Sequence, residues 1–419
     1  MPVTGRHTDV FKIPGFLNFW LAETVSGFGG YITTLALQVL VIVTLKGTAT
    51  DVGLLNASRW LPYMFLGLLV GALIDRRPRK PILVATDLGR ALVLGAIPTL
   101  GIVGWLSLPT LLVFVALFGV MTLLNDAASQ SILPRIAPAD SLLAANARLD
   151  QGAAVAQTSG PLVAGALVTI LGAPLAVLFD AASYLFSAVT ISRIRISEPR
   201  DAPLAKPPAL LREIGEGLTW VYRHATLAPL ALSTHLWFLF NAILGAIFVP
   251  FALIELKLTA FELGLTLAAA GGAGLLGAMT STRIGLRWGA GRAVIACHAL
   301  MPLAWTIIAL APLASQHWSL IALLAVGQAL FGFSLGAENA NSMGYRQSVT
   351  PDALQGRMNT TMRSINRAMI VVGAPVGGLL ADGIGYGPTF AVAIVGFTLV
   401  PVLQAASPFR NAQHGEQSG

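Results

Sequence analysis

The chain has 419 residues, of which 55% are apolar and only 11% are charged, against roughly 25% charged residues in ordinary soluble domains. Its mean hydropathy is +0.74 and its formal net charge is +7. So little charge cannot cover the surface of a soluble protein of this length, which excludes a cytosolic enzyme, a disordered chain and a nucleic-acid-binding module. The composition therefore predicts a protein that crosses the membrane several times.

Long apolar runs follow a polar segment of 14 residues along the chain. A membrane-spanning helix needs about 20 mainly apolar residues, so these runs predict twelve spans. The expected ranges are 15–45, 53–75, 82–105, 108–133, 150–172, 174–192, 227–254, 262–282, 292–313, 318–343, 361–382 and 388–407. The runs are apolar throughout rather than alternating, which favours helices over the strands of a barrel.

A polar loop separates the sixth span from the seventh. Four of its apolar residues recur at helical spacing, namely Leu211, Ile214, Leu218 and Val221. This pattern predicts an amphipathic helix that lies on the inner leaflet of the membrane. The predicted organisation is an N-terminal segment (1–14), a first bundle (15–192), a central loop (193–226), a second bundle (227–407) and a C-terminal tail (408–419).

The Lys and Arg residues are distributed unequally between the two sides that the spans define. Twenty of the 26 fall on the side that carries both termini and the central loop. The loops of the other side carry only Lys46 and Lys257, and the remaining four lie within or near spans. By the positive-inside rule, both termini are expected in the cytoplasm and the chain in the inner (plasma) membrane of a cell.

The two halves of the chain contain a weak internal repeat. The segment 133–167 is similar to the segment 345–380 at an offset of about 213 residues, and Asn146 corresponds to Asn359. Six spans repeated in parallel predict an all-α membrane protein made of two pseudo-symmetric six-helix bundles. In that architecture the substrate site lies between the bundles, and rocking of the halves exposes it to each side in turn.

The sequence GALIDRRPRK (71–80) resembles the loop 2–3 signature of the major facilitator superfamily. The matching residues are Gly71, Asp75, Arg76, Arg79 and Lys80, whereas Pro78 replaces the usual glycine. Further stretches resemble the bacterial drug-efflux and siderophore-export branch, which includes macrolide and enterobactin exporters. They are RWLPYMFLGLLVGALIDRRPRK (59–80), DLGRA (87–91), ILPRIAPADSLLAANA (132–147), EIGEGLTWVYRH (213–224) and PDALQGRMN (351–359).

The resemblance implies a secondary active transporter rather than an enzyme. It would export a small lipophilic or siderophore-like molecule by proton antiport, with protons, the substrate and the lipid bilayer as partners, as a monomer without a cofactor. Proton-coupled uptake on the same fold is an alternative, and a transporter-like membrane sensor is another. The chain contains no P-loop motif, so an ion or substrate gradient is the expected energy source.

The loop motif is expected to act as a gate. A carboxylate such as Asp75 is costly at a helix end in the membrane unless it is paired, and Arg76 and Arg79 are near enough in sequence to pair with it. A charge cluster that bridges the halves would stabilise one access state and break in the other. The alternative is that the basic cluster only anchors the loop in the cytoplasm.

Gly160 and Pro161 in the fifth span resemble the Gly-Pro motif of antiporters in this superfamily. Proline removes a backbone hydrogen bond and glycine permits close approach of a second helix. The pair therefore predicts a bend at a packing face, which serves either gating or ordinary helix packing.

Ionisable residues inside a membrane are expensive and are functional candidates by default. At the repeat offset of about 213 residues, Asn125 and Asp126 correspond to Glu338 and Asn339. A further carboxyl, that of Glu23, lies in the first span. The resemblance implies that spans 1, 4, 7 and 10 line the cavity, so three carboxyls are expected around it. The alternative is that these groups cap helix ends or bind loop arginines.

Other polar and aromatic residues of the spans receive secondary roles. Arg367 is either a counter-charge for the carboxyls or a snorkelling residue. Tyr31 and Phe240 are candidates for stacking on an apolar substrate, and Asn241 is a polar candidate beside them. Two further groups are expected to be structural or solvated. Asp87 and Arg90, three residues apart, can pair with each other or with the charged loop cluster nearby, and Asp382 is expected in water near the outer end of its span.

Overall fold

A computed structural model describes residues 9–74, 77–196 and 210–413 of the chain. Among these residues thirteen α-helices follow one another and no strand occurs, which confirms the all-α fold class. The helices are α1 (Phe16–Val39), α2 (Ala49–Ile74), α3 (Arg79–Ile102), α4 (Leu108–Ile136), α5 (Leu142–Leu171), α6 (Ala173–Ser192), α7 (Leu210–Arg223), α8 (Leu227–Pro250), α9 (Ala260–Trp288), α10 (Ala290–Ala309), α11 (His317–Val349), α12 (Asp352–Ile384) and α13 (Tyr386–Ala405).

Eleven of these helices, within the described part of the chain, are long and apolar enough to cross a membrane. They are all of the thirteen except α2 and α7. Helix α2 has 26 residues, coincides with the second predicted span and packs against α4 and α12. The chain is therefore a multi-span membrane protein, and the count of twelve spans remains a prediction.

The helices form two six-helix bundles, α1–α6 and α8–α13, whose equivalent helices share the same neighbours. The match extends to unusual local geometry. Helices α1 and α8 both end in a five-residue π-helical turn, at Leu40–Thr44 and Phe251–Glu255. The next loop places Lys46 and Lys257 at φ angles of 53° and 56°, a conformation that few side-chain-bearing residues adopt. Both features recur 211 residues apart, so the repeat in the sequence is a repeat of structure.

The two bundles meet where α2 packs against α12 and α5 packs against α9. Glycine makes these contacts close at equivalent positions. A Cβ on Gly53 would overlap the carbonyl oxygen of Ala374, and a Cβ on Gly264 would lie 2.5 Å from the carbonyl oxygen of Pro161. Backbones can approach this closely only where no side chain intervenes. The interface between the halves is therefore built from small residues on both sides.

Helix α7 of the central loop packs on the second bundle. It contacts α8 and α12, and Val221 is fully buried in a cluster with Met358 and Met362. Arg357 of α12 forms an ion pair with Glu216 on the polar side of the helix. The expectation that the apolar face of α7 lies on lipid therefore needs correction, because part of that face is covered by protein.

A candidate substrate cavity between the two halves

A cavity of about 1190 Å³ lies between the two bundles. For reference, pockets for drug-sized ligands usually measure about 300–1,000 Å³. Its lining residues come from α1, α2, α5 and α8–α12. Helix α4 contributes none of the described lining residues, which corrects the expectation that the fourth span lines the cavity.

The wall of this cavity is largely apolar and aromatic, with a few polar groups between. Its aromatic members are Tyr31, Trp60, Trp237, Phe238, Phe248, Trp305 and Phe331. The ionisable members are His298, Glu338, Arg346 and Arg367. An apolar wall with a small number of placed charges is typical of a site for a small organic molecule.

The cavity is closed at the end of the bundle that carries Lys46 and Lys257, here called the opposite end. The carboxylate of Asp382 on α12 accepts hydrogen bonds from the backbone N–H of Thr50 at 2.9 Å, from its hydroxyl at 2.5 Å and from the N–H of Ala49 at 3.2 Å. Asp382 thus caps the first turn of α2 in the other half. Asp382 is exposed, as expected of an acid near the end of its span, and in addition its carboxylate joins the two halves.

At the other end, which carries α7 and is here called the basic end, the cavity extends to Arg346 and Gln347 in the last turn of α11. Helices α5 and α9 come into close contact at Gly165 of α5 and at Gly271 of α9. On α5, both contacts fall within the later two thirds of the helix. The lining therefore continues from the closed opposite end towards the basic end.

The C-terminal wall of the cavity carries a chain of polar side chains from α10, α11, α13 and α8. The Nε2 atom of His298 lies 4.0 Å from Oε1 of Glu338, and its Nδ1 atom lies 3.0 Å from Oε1 of Gln404. The amide nitrogen of Gln404 donates to Oγ of Ser233 at 2.9 Å. His298 and Glu338 are only 3% and 9% exposed, although both line the cavity.

Glu23 and Asp126 lie in the N-terminal half, outside the described lining of the cavity. Glu23 accepts a hydrogen bond of 2.9 Å from the hydroxyl of Ser129 on α4. Asp126 accepts one of 2.6 Å from the hydroxyl of Tyr63 on α2. The structure therefore brings Glu338 alone of the three predicted carboxyls to the cavity wall, and holds the other two by hydroxyl groups.

Asn125 belongs to a buried network around Asp87. Its amide nitrogen donates to Oγ1 of Thr86 at 2.9 Å and to Oδ1 of Asp87 at 3.2 Å. Asp87 is fully buried, forms an ion pair with Arg90 and accepts a hydrogen bond of 2.6 Å from Ser187. The expected pairing of Asp87 with Arg90 is confirmed.

Arg367 lies on the wall where α12 faces α2. Its guanidinium carbon is 3.9 Å from the ring centroid of Trp60 and 5.8 Å from that of Tyr63. Its Nε atom has no hydrogen-bond partner among the described residues. Arg367 is thus held by aromatic rings of the other half, a cation–π arrangement that leaves donors for a ligand.

The remaining predicted binding residues divide between the cavity and its surroundings. Tyr31, Asn241 and Asn339 line the cavity. Phe240 instead packs against Gly396 of α13, where a Cβ on the glycine would overlap the ring. Phe240 is therefore a packing residue of the second bundle in this structure rather than part of the described lining.

The predicted gating residues are described in part. Asp75 and Arg76 lie outside the described residues, as do the surroundings of Gly71. Arg79 is buried at the start of α3. Lys80 donates a hydrogen bond of 2.8 Å to the carbonyl of Ile194, which follows α6 in the same half.

Gly160 and Pro161 lie where α5 contacts both α1 and α9. A Cβ on Gly160 would lie 2.9 Å from the ring of Tyr31, and the carbonyl of Pro161 faces Gly264. Proline cannot donate to the carbonyl of Gln157 one turn earlier, and that carbonyl faces Gly271 of α9. Both motif residues therefore contact elements that border the cavity or the other half.

Residues 19–363 match the family model described as the Major Facilitator Superfamily. The chain belongs to this superfamily. Its members move small molecules across membranes, so the protein is a membrane transporter and not an enzyme.

Relatives of this transporter include efflux proteins at low sequence identity. It is 23% identical to "Macrolide efflux protein A" of Streptococcus pyogenes over 94% of this chain and 96% of the relative. It is 26% identical to "Multidrug efflux pump Tap" of Mycolicibacterium fortuitum over 92% and 94%. An "Uncharacterized MFS-type transporter y4rN" of Sinorhizobium fredii is 28% identical over 89% and 90%.

The fold of this transporter is also that of solved structures. A crystal structure of "a bacterial homologue of iron transporter ferroportin in inward-facing state" superposes with a TM-score of 0.73 at 17% identity, over 93% of this chain and 97% of the other. At that identity the likeness concerns the fold alone.

Sequence reasoning missed His298 as part of the cavity wall and Gln404 as its hydrogen-bond partner. A single histidine in an apolar run carries no signal by itself. The repeat could have found it, because His298 lies 211 residues after Asp87, the same offset that relates the two π-helical turns. Gln404 has no such counterpart, and only the packing of α10 against α13 identifies it.

Proposed function

We propose that this transporter exports a bulky lipophilic molecule, of macrolide or siderophore type, from the cytoplasm in exchange for protons. The observation that carries the proposal is the cavity of about 1190 Å³ between the halves, closed at the opposite end by Asp382 and lined towards the basic end. A site of this size with a mostly apolar wall that includes seven aromatic side chains suits a large apolar ligand.

The direction rests on the distribution of charge. The basic end carries most of the Lys and Arg residues, so the positive-inside rule assigns it to the cytoplasm, together with both termini. A cavity that reaches that side loads substrate from the cytoplasm. Two relatives with efflux in their names support the same direction.

The polar groups of the wall limit the chemistry of the substrate. Glu338 presents a carboxyl to the cavity, which suits the amine of a macrolide, whereas Arg346 and Arg367 suit the oxygen donors of a siderophore. Both kinds of molecule combine a large apolar surface with few charges. We infer that one protomer is sufficient for transport, because the cavity is formed within a single chain.

The test uses everted membrane vesicles from a macrolide-sensitive bacterial host that expresses the protein. Labelled erythromycin should accumulate inside vesicles when their lumen is made acidic, and a protonophore should abolish the accumulation. Vesicles without the protein give the control. Accumulation only with the reversed proton gradient would support an uptake symporter instead, and tight binding without any flux would support a sensor.

A siderophore substrate is tested in the same vesicles with an iron-free catecholate siderophore in place of erythromycin. Accumulation of one probe and not the other identifies the class. Accumulation of neither, with correctly inserted protein, would overturn the proposed substrates.

A further inference from the structure

The guanidinium of Arg367 lies in the cavity wall without a counter-ion. It stacks on the ring of Trp60, 3.9 Å from the ring centroid, and its Nε atom is buried without a hydrogen-bond partner. Within the described part of the chain it forms no hydrogen bond and no ion pair. A cation that is stacked but not paired keeps its N–H donors for an acceptor that arrives through the cavity.

The charged side chains with the largest influence on Arg367 are mostly cations. They are Arg59 of α2 and Arg363, one turn earlier on α12, against the carboxylate of Asp126 on α4. That carboxylate already accepts a hydrogen bond of 2.6 Å from the hydroxyl of Tyr63. Because two further guanidiniums add to that of Arg367 and one carboxylate opposes them, this part of the wall attracts an anion.

The carboxyl of Glu338 belongs to another part of the cavity wall. Its basic neighbours are His298, at 4.0 Å, and Arg346 on the same helix. The acid with the largest influence on Arg367 is Asp126 instead. The cavity therefore contains one acid with basic neighbours and, at Arg367, one base that no acid contacts.

Asn366 precedes Arg367 and also lines the cavity. Its Oδ1 atom lies 2.6 Å from Nδ1 of His235 on α8, and Nε2 of the same imidazole lies 2.7 Å from the hydroxyl of Tyr222 on α7. Neither His235 nor Tyr222 belongs to the described lining. Two hydrogen bonds thus connect the helix of the central loop with a side chain of the cavity wall.

These two hydrogen bonds fix the direction of the Asn366 amide. When the hydroxyl of Tyr222 donates to Nε2 of His235, the hydrogen of the neutral imidazole is on Nδ1 and is donated to Oδ1 of Asn366. If the amide were turned around, Nε2 would carry the hydrogen, and the hydroxyl hydrogen of Tyr222 would have no acceptor among the described residues. An imidazolium would also require Oδ1 on the side of His235. The amide nitrogen of Asn366 therefore remains as a donor for a ligand in the cavity.

The fold does not require these two polar side chains. At the repeat offsets of 211 to 213 residues, Asn366 and Arg367 correspond to the stretch 153–156 of α5, which contains only Ala and Val. Helix α5 packs against the other half as α12 does. The polar pair is thus a feature of the second half alone, which favours a role in binding over a role in packing.

We propose that Asn366 and Arg367 bind a carboxylate of the transported molecule, and that Tyr222 and His235 hold the amide of Asn366 in its donating orientation. One neutral and one charged donor at consecutive positions suit the two oxygens of a carboxylate. The role in transport rests on the proposed function and narrows its substrate to an amphipathic organic acid, whereas binding of the acid does not. Tyr222 and His235 are positioning residues, because they act on the ligand only through Asn366.

The carboxylate site is tested with two fluorescent probes and the purified full-length protein. N-dansyl-phenylalanine carries a carboxylate, and N-dansyl-phenylalaninamide has the same apolar body without a charge. Energy transfer from the tryptophans of the cavity wall to the dansyl group reports binding. The wild type should bind the acid about tenfold more tightly than the amide. Equal affinity for the two probes, or binding of neither, would overturn the proposal.

Two substitutions in the site should change the ratio of these affinities in a defined way. Arg367→Gln should reduce the preference for the acid to about one. Asn366→Asp keeps an oxygen for His235 but replaces the donor by a second carboxylate oxygen, so this variant should bind the amide more tightly than the acid. A preference for the acid that survived both substitutions would overturn the site.

Arg363 provides the matched control on the same helix. It is exposed and lies outside the described lining, so Arg363→Gln should lower the preference for the acid by less than about twofold. Equal responses to Arg363→Gln and Arg367→Gln would indicate a general effect of positive charge and would count against a built site.

The positioning role is tested by Tyr222→Phe, which removes one hydroxyl outside the cavity. The Asn366 amide is then free to turn, so the preference for the acid should fall about threefold, and the nitrogen NMR signals of His235 should shift. Tyr345→Phe is the control, because it removes a hydroxyl that bonds to Thr226 at 2.6 Å and should leave the preference unchanged. A purely structural role of Tyr222 would weaken both probes alike, and an unchanged preference in Tyr222→Phe would overturn the positioning role.

The everted vesicles of the transport assay separate this site from the proposed function. If the vesicles accumulate erythromycin while the protein binds the two probes equally, export stands and the carboxylate site is wrong. If the protein prefers the acid but the vesicles accumulate neither erythromycin nor the acid, the carboxylate site stands and the proposed export is wrong.

Discussion

In the N-terminal half, Asp87 on α3 is ion-paired with Arg90; at the equivalent positions on α10 the C-terminal half has His298 and Met301. The residue on the neighbouring helix differs as well, since Asn125 of α4 corresponds to Glu338 of α11. Each half thus buries one carboxyl between the same two helices. In the first half its partner is a permanent cation, and in the second its neighbour at 4.0 Å is a histidine, which carries a charge only when it is protonated. Similar packing therefore supports a structural ion pair in one half and a cavity-facing site in the other.

Two equivalent helices share a local cap, and one of them receives a second cap from the other half. Helix α9 begins with a capping box, in which Thr259 and Glu262 satisfy each other's backbone N–H groups. Thr48 and Asp51 form the same reciprocal pair at the start of α2. Asp382 of the other half adds hydrogen bonds from the backbone N–H groups of Ala49 and Thr50, and this additional cap depends on closure of the halves at the opposite end.

The largest effect is expected from breaking the fixed ion pair. Arg90→Met copies the second half onto the first and leaves Asp87 buried without a counter-charge, which should lower the free energy of unfolding by about 3–5 kcal/mol. The double variant Asp87→Asn/Arg90→Met should recover most of this loss. Thermal unfolding in detergent measures both. Equal stability of Arg90→Met and the wild type would show that Asp87 is not held by Arg90.

The next largest effect is expected at the glycines of the interface between the two halves. Gly53→Ala and Gly264→Ala each push a Cβ into a backbone carbonyl of the other half, which should disfavour closure at the opposite end by about 1–3 kcal/mol. The readout is a cysteine at Gln38, deep in the cavity, in a Cys297→Ser background. A membrane-impermeant maleimide added at the opposite end should label it faster in both variants.

Gly95 provides the control for the glycine series. A Cβ at this position meets nothing within 4 Å, so Gly95→Ala should leave the labelling rate at its wild-type value. A clear effect of only one of the two interface glycines would show that the two contacts between the halves do not close together.

A smaller effect is expected at the inter-half cap. Asp382→Ala removes the side chain that accepts three hydrogen bonds from the start of α2, and loss of a helix cap costs about 0.5–2 kcal/mol. The cost falls on the closed arrangement alone, so labelling of the Gln38 cysteine from the opposite end should increase. Glu262→Ala removes the local cap of α9 and should lower thermal stability without this increase. An equal rise in labelling for both variants would contradict the difference between the caps.

The smallest effect is expected at α7, which has no counterpart in the first half. Arg212 and Arg357 hold the pKa of Glu216 below its usual value. The stabilisation is therefore present above the ordinary pKa of a glutamate and is lost as the pH falls through the lowered value. Because the pair is at the surface, Glu216→Gln should lower the melting temperature by less than about 2 °C at neutral pH. The two proteins should melt together once the pH lies below this lowered pKa, and a difference that grew with acidity would contradict this assignment.

The placement of the carboxyls marks the limit of the repeat as a predictive tool. It identified Asn125, Asp126, Glu338 and Asn339 as equivalent residues, yet Glu338 and Asn339 reach the described cavity lining and the other two do not. Helix α4 packs against α2 and α3 as α11 packs against the equivalent α9 and α10, so the difference does not lie in the neighbouring helices. An offset along the chain relates positions, but it carries no information on which of them reach the cavity.

Asp382 shows the same limit for a single residue. From the sequence it is an acid near the end of an apolar run, and water would satisfy it. Its hydrogen bonds to Thr50 and Ala49 join residues more than 330 positions apart, across the boundary between the halves. No local pattern reports such a contact.

The sequence by itself determined the class, the approximate spans, the repeat and the superfamily, because length, hydropathy and motif spacing are local properties of the chain. Tertiary structure alone decided which ionisable groups share a wall, since that depends on helix packing between segments distant in sequence. From the sequence His298 is one histidine in an apolar run, and only the fold places Gln404 and Glu338 beside it. The physical reason is that a buried polar group is governed by its few nearest neighbours, and those of His298 come from three other helices once Ser233, the partner of Gln404, is included.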